Sequence, residues 1–366
     1  MPMATTVAAN ADQSLAYAKK HQLEQGFFKK GIAIALMSGI FYGLYSSLVV
    51  AAQTQGVWVD WAAALPAGGF LLAFILPTIA SAINDAISGI WALAVTAKQG
   101  KLVDFIATLG SKPGRIMIAS AIIGGPIGSA SYIIALSMAG TIVTPIAALC
   151  PAIGSIISSI LYKQKMGPNV ILGILVCMFG SCLIGFTGLT GDMGSGVLPG
   201  ICLALVSALS WGIEGCVAGY GTSMIDCQIG ITIRQVTSGI VNLLCILPIL
   251  SLVSGGGIAE TYAFVAEAVT DAPSVIFFVL SGLFAYLSFQ NWYRGNSMCG
   301  TALGMACNGT YAFFVPLFTW IIVGLVMGFD GYALPTVAWL AALIMVAGVT
   351  VIAVNPFALF KKENAA

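Results

Sequence analysis

Apolar runs of about twenty residues alternate with short polar stretches along almost the whole chain. A helix needs roughly 20 apolar residues, at about 1.5 Å rise each, to cross a hydrocarbon core about 30 Å thick. On that measure the pattern predicts spans at 31–51, 64–90, 116–138, 142–162, 169–188, 198–220, 232–253, 273–293, 302–326 and 336–355. The fold class expected is therefore an all-α integral membrane protein with ten transmembrane helices.

The charges fix how these spans are threaded. With a cytoplasmic N-terminus, all 14 Lys and Arg residues fall inside or at the inner surface, Arg234 and Arg294 included as side chains that snorkel there. The outer segments 52–63, 189–197, 254–272 and 327–335 hold Asp60, Asp192, Glu260, Glu267, Asp271 and Asp330, and no Lys or Arg. One span more or fewer scatters the cations over both faces. Both termini are thus expected in the cytoplasm and the chain in a plasma membrane, the inner membrane of a bacterium. Residues 1–30 read as a polar cytoplasmic lead without a cleaved signal peptide, either a short interfacial helix or a basic stop before the first span. Residues 358–366 read as a cytoplasmic tail.

Composition narrows the chemistry further. At 59% hydrophobic and 7% charged residues, nearly everything must face lipid or another helix. Nine cysteines sit in spans or on the inner side, so disulfides are not expected, and the sole histidine, His21, lies in the polar lead. That leaves no His/Cys metal cluster, no cofactor and no Ser-His hydrolase triad, and there is no Gly-x-x-x-x-Gly-Lys-Ser/Thr loop for ATP. The chain is not expected to be an enzyme, or to bind nucleic acid. A substrate molecule, membrane lipid and a coupling proton are the expected partners, on a monomer or homodimer.

The chain repeats itself. Aligning Gly31–Leu48 with Gly200–Val217 gives six identities, including Ser38 with Ser207 and Gly43 with Gly212. A second match follows in the same order: Ser137-Met138-Ala139-Gly140-Thr141 and Ser297-Met298-Cys299-Gly300-Thr301. Two halves of five spans, 31–188 and 198–357, result, and an odd number turns the second half upside down in the membrane. Gly140 and Gly300 suit the left-handed residue that ends a helix, and Thr141 and Thr301 suit caps of the next one. Gly124-Gly125-Pro126 predicts a break within the third span that frees backbone carbonyls.

An ionisable group inside the bilayer marks a functional position by default. Glu214 lies well inside the sixth span with Trp211 one turn before it on the same face, and the repeat pairs them with Tyr45 and Tyr42. Glu214 is expected either to carry a coupling proton or to pair structurally with Arg234. Asp85 is either a second coupling acid, if the second helix is long, or a boundary residue at the inner surface. Gln290 and Asn291 at the end of the eighth span, with Asn308 and Tyr311 on one face of the ninth, are candidates for substrate contact alongside Tyr42, Tyr45 and Trp211.

The ten short spans, the run from Ala135-Leu136 through Thr144-Pro145-Ile146-Ala147-Ala148-Leu149-Cys150-Pro151-Ala152, and the fifth and tenth helices bearing Gly180 and Gly348 give a resemblance. From Gly31 to Asn355 the chain resembles the drug/metabolite transporter superfamily in its EamA-like branch, which includes sugar and rhamnose–proton carriers. The resemblance implies a secondary active transporter with one site open alternately to each side. A sugar, polyol or related small polar metabolite is the first substrate expectation; an organic cation or amine, an amino acid, or an exported drug or metabolite is the alternative.

Overall fold

The computed structural model describes residues 2–66, 69–140, 143–162, 167–189, 197–222, 224–333 and 336–354, with side chains from residue 23 onward. Thr141, Lys163, Gln164, Lys165, Asp192 and the tail lie outside these residues. Helix is the only regular structure among them.

The first half comprises α1 (Pro2–Gln53), α2 (Val57–Ala64), α3 (Leu76–Lys98), α4 (Leu102–Leu109), α5 (Lys112–Ile122), α6 (Ala130–Ala139), α7 (Val143–Ala147), α8 (Cys150–Tyr162) and α9 (Pro168–Leu189). The second comprises α10 (Val197–Thr222), α11 (Cys227–Val241), α12 (Leu247–Val253), α13 (Ile258–Thr270), α14 (Ala272–Cys299), α15 (Thr301–Asn308), α16 (Tyr311–Thr319) and α17 (Thr336–Val354). Seven stretches are long and apolar enough to cross a membrane: Leu23–Gln53, Leu71–Lys98, Lys112–Ala139, Val197–Gly219, Cys227–Val253, Ala272–Cys299 and Leu303–Val326. The predicted spans 142–162, 169–188 and 336–355 coincide with α7 and α8, α9, and α17. Ile156, Leu209, Leu244, Ile276 and Leu343 stand exposed on the helix surfaces, as a lipid-facing exterior requires. The molecule is an all-helical, multi-pass membrane protein.

Residue chemistry explains the irregularities. Proline has no N–H and its ring clashes with the carbonyl four residues back, so a helix absorbs it by widening one turn. The motif Ile-Leu-Pro does this twice: π turns at Leu71–Ile75 and Asn242–Ile246 lead directly into Leu76-Pro77 and Leu247-Pro248. The Leu243 carbonyl near the second accepts the Tyr262 hydroxyl instead. Pro126 sits inside a third π turn, Ile123–Ser129, so the expected break is a widened turn and the helix runs through it. Asp226, Asp271 and Ser111 cap α11, α14 and α5 by accepting amide hydrogens from their first turns.

Gly140 and Gly300 have φ of 65° and 89°, as a helix-ending glycine should. Their ψ values of −160° and 151° put them in the region open to glycine alone, beyond the ordinary left-handed helix. Thr301 does not cap: Gly300 occupies the cap position, and Thr301 is the first helical residue. Residues 2–30 are continuous helix with the first span, in place of a separate lead or interfacial helix.

Close glycine contacts bring remote helices together in matched pairs. Gly31 lies against Met298 and Cys299, and Gly200 against Ala139 and Ala135. Gly43 lies against Phe314, Gly212 against Ile153. Gly180 meets Met345, and Gly348 meets Cys177.

Candidate functional site

The centre of the bundle holds charge. Glu214 of α10 and Arg234 of α11 are fully buried and paired, with Arg234 Nε donating to Glu214 Oε1 at 2.8 Å and Nη2 facing Oε2 at 3.4 Å. The expectation that Arg234 snorkels to the inner surface is corrected. Seven residues of α11, Cys227 to Ile233, precede it, and the Glu214 carboxylate offsets the cost of burying the guanidinium there. Its remaining donors reach Gln235 and Ser129, and its carbon lies 3.7 Å from the centre of the Phe289 ring, a cation–π contact. Glu214 also accepts the Tyr293 hydroxyl at 3.1 Å.

Asp85 faces the same interior. α3 continues to Lys98, so the boundary placement of Asp85 is excluded by helix length. Its carboxylate is buried and takes only neutral donors: Ser238 Oγ, Asn242 Nδ2 at 3.0 Å and Asn84 Nδ2 at 3.4 Å. Among the described residues Asp85 forms no ion pair. Gln235 closes the network by donating to Ser88.

Beside the charges lies an aromatic cluster centred on Tyr42. Its ring stacks on Tyr311 at 4.2 Å and meets Tyr45 at 4.6 Å, Trp211 at 5.7 Å, Tyr132 at 5.8 Å and Phe289 at 6.4 Å between ring centres. Trp211 Nε1 donates to the Gly124 carbonyl of the π turn at 2.9 Å, and Ser129 Oγ donates to the same oxygen at 3.3 Å. The hydroxyls of Tyr42 and Tyr311 are buried without a hydrogen-bond partner.

Tyr42, Tyr45, Trp211 and Tyr311 thus come together, with Glu214 and Asp85 adjoining them. The amides do not converge there. Gln290 bonds to Gln228 at 2.7 Å in a separate lattice with Tyr286, Thr96 and Thr232, close to the Lys101–Asp226 ion pair at the basic end. Asn291 turns back onto the Leu287 carbonyl of its own helix. Asn308 donates to Ser38 at 2.8 Å. The α-helix of the ninth predicted span is interrupted by a tightened turn at Gly309-Thr310, whose backbone stays in the helical region so that Asn308 and Tyr311 remain on one side. That of the fourth is interrupted by a turn at Ala148-Leu149. The two interruptions adjoin, since a Cβ on Gly309 would sit 3.4 Å from Pro151.

Sequence reading missed Ser238 and Asn242; of its two readings of Arg234, the structure has the pair with Glu214 and not the snorkelled position. Polar residues at 234, 238 and 242 recur one every turn, but Gln228, Thr232, Gln235 and Thr237 on the same helix blur the stripe. Tyr132, Phe289 and Tyr293 carried no such signal, because an aromatic residue in an apolar helix reads as packing.

Comparison with known proteins bears on the fold alone. No family model matches the chain, and no curated protein does. Twenty-three solved chains match. One, described only as "Crystal structure of protein", superposes with a TM-score of 0.60 over 89% of this chain and 97% of its own, at 17% identity. The chain shares that protein's fold.

Proposed function

We propose that the chain is a ten-span secondary transporter of the drug/metabolite type, built from two inverted five-helix halves. It moves a small polar metabolite by alternating access through the aromatic and charged centre. The observation that carries this reading is the fully buried Glu214–Arg234 pair with Asp85 beside it, charge that a bilayer protein keeps only where it works or is held for work.

The halves supply the second support. The glycine contacts are reciprocal: span one touches nine as six touches four, and five and ten touch each other through Gly180 and Gly348. Tyr42 and Trp211, paired by the repeat, meet each other at the centre. Both halves carry an Ile-Leu-Pro π turn in the second span and an interrupted helix in the fourth, and interrupted spans at corresponding positions point to the site in inverted-repeat transporters.

Geometry shifts the proton-carrying role within the pair of acids. Glu214 is bonded to the Arg234 guanidinium, whereas Asp85 has neutral donors only. Asp85 is the carboxyl that can take up and give back a proton, with Glu214 and Arg234 as the fixed pair that orients the site. The unpartnered Tyr42 and Tyr311 hydroxyls favour a hydroxyl-rich substrate such as a sugar or polyol, which would satisfy them. The organic-cation reading rests on the same rings beside a net negative cluster.

Counterflow in proteoliposomes separates the two. Tyr42→Phe keeps the ring and removes the hydroxyl, so it weakens sugar or polyol counterflow about tenfold and leaves quaternary-amine counterflow intact. Equal effects on both pools, or none on either, reject the hydroxyl-recognition reading.

A further inference from the structure

The cluster around Asp85 is unbalanced in charge and in hydrogen bonds. Arg234 compensates one of two buried carboxylates, leaving a formal charge of −1 at Asp85. Beside that carboxylate two oxygens are buried and unpartnered: Asn242 Oδ1, whose own amide nitrogen bonds Asp85, and Ser81 Oγ, one turn before Asp85 on the same face of α3. A proton on Asp85 removes the charge and supplies a single O–H donor, which leaves at least one of the two oxygens orphaned at a cost of about 1–3 kcal/mol. A water satisfies the oxygens but leaves the charge. A small cation does both.

We infer that Asp85, Asn242, Ser81 and Ser238 form a binding site for Na⁺. One carboxylate among neutral oxygens suits a monovalent ion, since hard divalent cations take more anionic ligands. A Cβ on Gly239 would lie 2.9–3.2 Å from the backbone of Asp85 and Ala86, so α3 and α11 touch beside the site, a close approach that favours the smaller Na⁺ over K⁺. The π turn begins at Asn242, as at the irregular backbone where coupling ions sit in inverted-repeat transporters. The charged and titratable groups facing Asp85 are Arg234 from α11 and Tyr45 from α1, with Glu214 of α10 behind Arg234; Ser281 of α14 meets Asn84. Na⁺ and H⁺ therefore compete for one carboxylate. The inference rests on the transport reading for its purpose, though not for its geometry.

Equilibrium binding of radioactive Na⁺ to the purified full chain, with choline as the replacement cation, tests it. One Na⁺ binds per chain, K⁺ does not displace it, and its apparent affinity falls about tenfold per pH unit once Asp85 protonates. Asp85→Asn abolishes binding. Ser81→Ala, which keeps the carboxylate and the packing, weakens it about tenfold. Absence of saturable binding in the wild type, equal binding in both variants, or displacement by K⁺ overturns the site. Exchange that persists while an imposed Na⁺ gradient fails to drive any uptake also overturns it and leaves the transport reading standing. Saturable Na⁺ binding with no counterflow of any pool supports the site and contradicts transport.

Discussion

Replacing Arg234 with methionine removes the guanidinium and keeps a long apolar stem. Glu214 then loses its bond at 2.8 Å and its contact at 3.4 Å, and keeps the Tyr293 hydroxyl at 3.1 Å. Phe289 loses the cation 3.7 Å from its ring centre, and Gln235 and Ser129 each lose a donor. Removing one partner of a buried ion pair costs about 3–5 kcal/mol, because the other charge is left uncompensated. The lost cation–π contact adds about 1–2 kcal/mol. Glu214→Gln strips the pair from the other side and leaves a buried cation, so it is costly too. The double variant holds no unpaired charge from this pair, and its glutamine still bonds Tyr293. Its loss therefore falls short of the sum of the singles by roughly 2–3 kcal/mol. Reversible unfolding in mixed detergent micelles, run on all four proteins at one pH, measures this coupling. Additive losses, or an Arg234→Met cost below about 1 kcal/mol as for an exposed pair, would refute the buried pair.

Four further outcomes follow from the same structure. Gly140→Ala and Gly300→Ala meet no neighbouring atom, so their cost is the positive φ alone, about 1–3 kcal/mol each in the same unfolding assay; unchanged stability would contradict the turn conformation. Gly124→Ala drives a Cβ into the Glu214 carboxyl and abolishes counterflow, whereas Gly26→Ala, in open space, leaves it unaltered. At the basic end, burial pushes the Asp226 carboxyl up, but Lys101 and the amides of Ile229 and Gln228 outweigh that and hold it below the ordinary carboxylate range. Its contribution is present above an unfolded pKa of about 3.9 and is lost as pH falls through the lower folded value. Because both side chains are partly exposed, Asp226→Asn changes the acid limb of the stability profile by about 0–1 kcal/mol; a change confined to neutral pH would contradict the pairing. Reporters that are active only in the cytoplasm, fused to either terminus, are both active if the number of spans is even, and opposite results would exclude ten.

The architecture was largely legible in the sequence, the site only in part. Span positions follow from run length alone, and seven of the ten coincide with helices long and apolar enough to cross a membrane. Gly31 and Gly200 both lie at close helix contacts, and Gly140 and Gly300 share a positive φ with open space around them. Arg234 was misplaced because the positive-inside pattern treats every cation alike. Among the described basic residues Arg234 alone is fully buried. Gln290 and Asn291 were grouped with Asn308 because each is an amide near a helix end. Which amide meets which depends on helix rotation, and Gln228 captures Gln290 before it reaches the centre.

Counterflow in proteoliposomes loaded with pools of sugars, polyols, amino acids, nucleosides and quaternary amines, comparing wild type with Asp85→Asn, tests the central claim most directly. The account predicts accumulation with one pool, retained in the variant under exchange but lost when an ion gradient must drive it. Gradient-driven uptake that survives in Asp85→Asn, or a wild type that exchanges none of the pools, would contradict it.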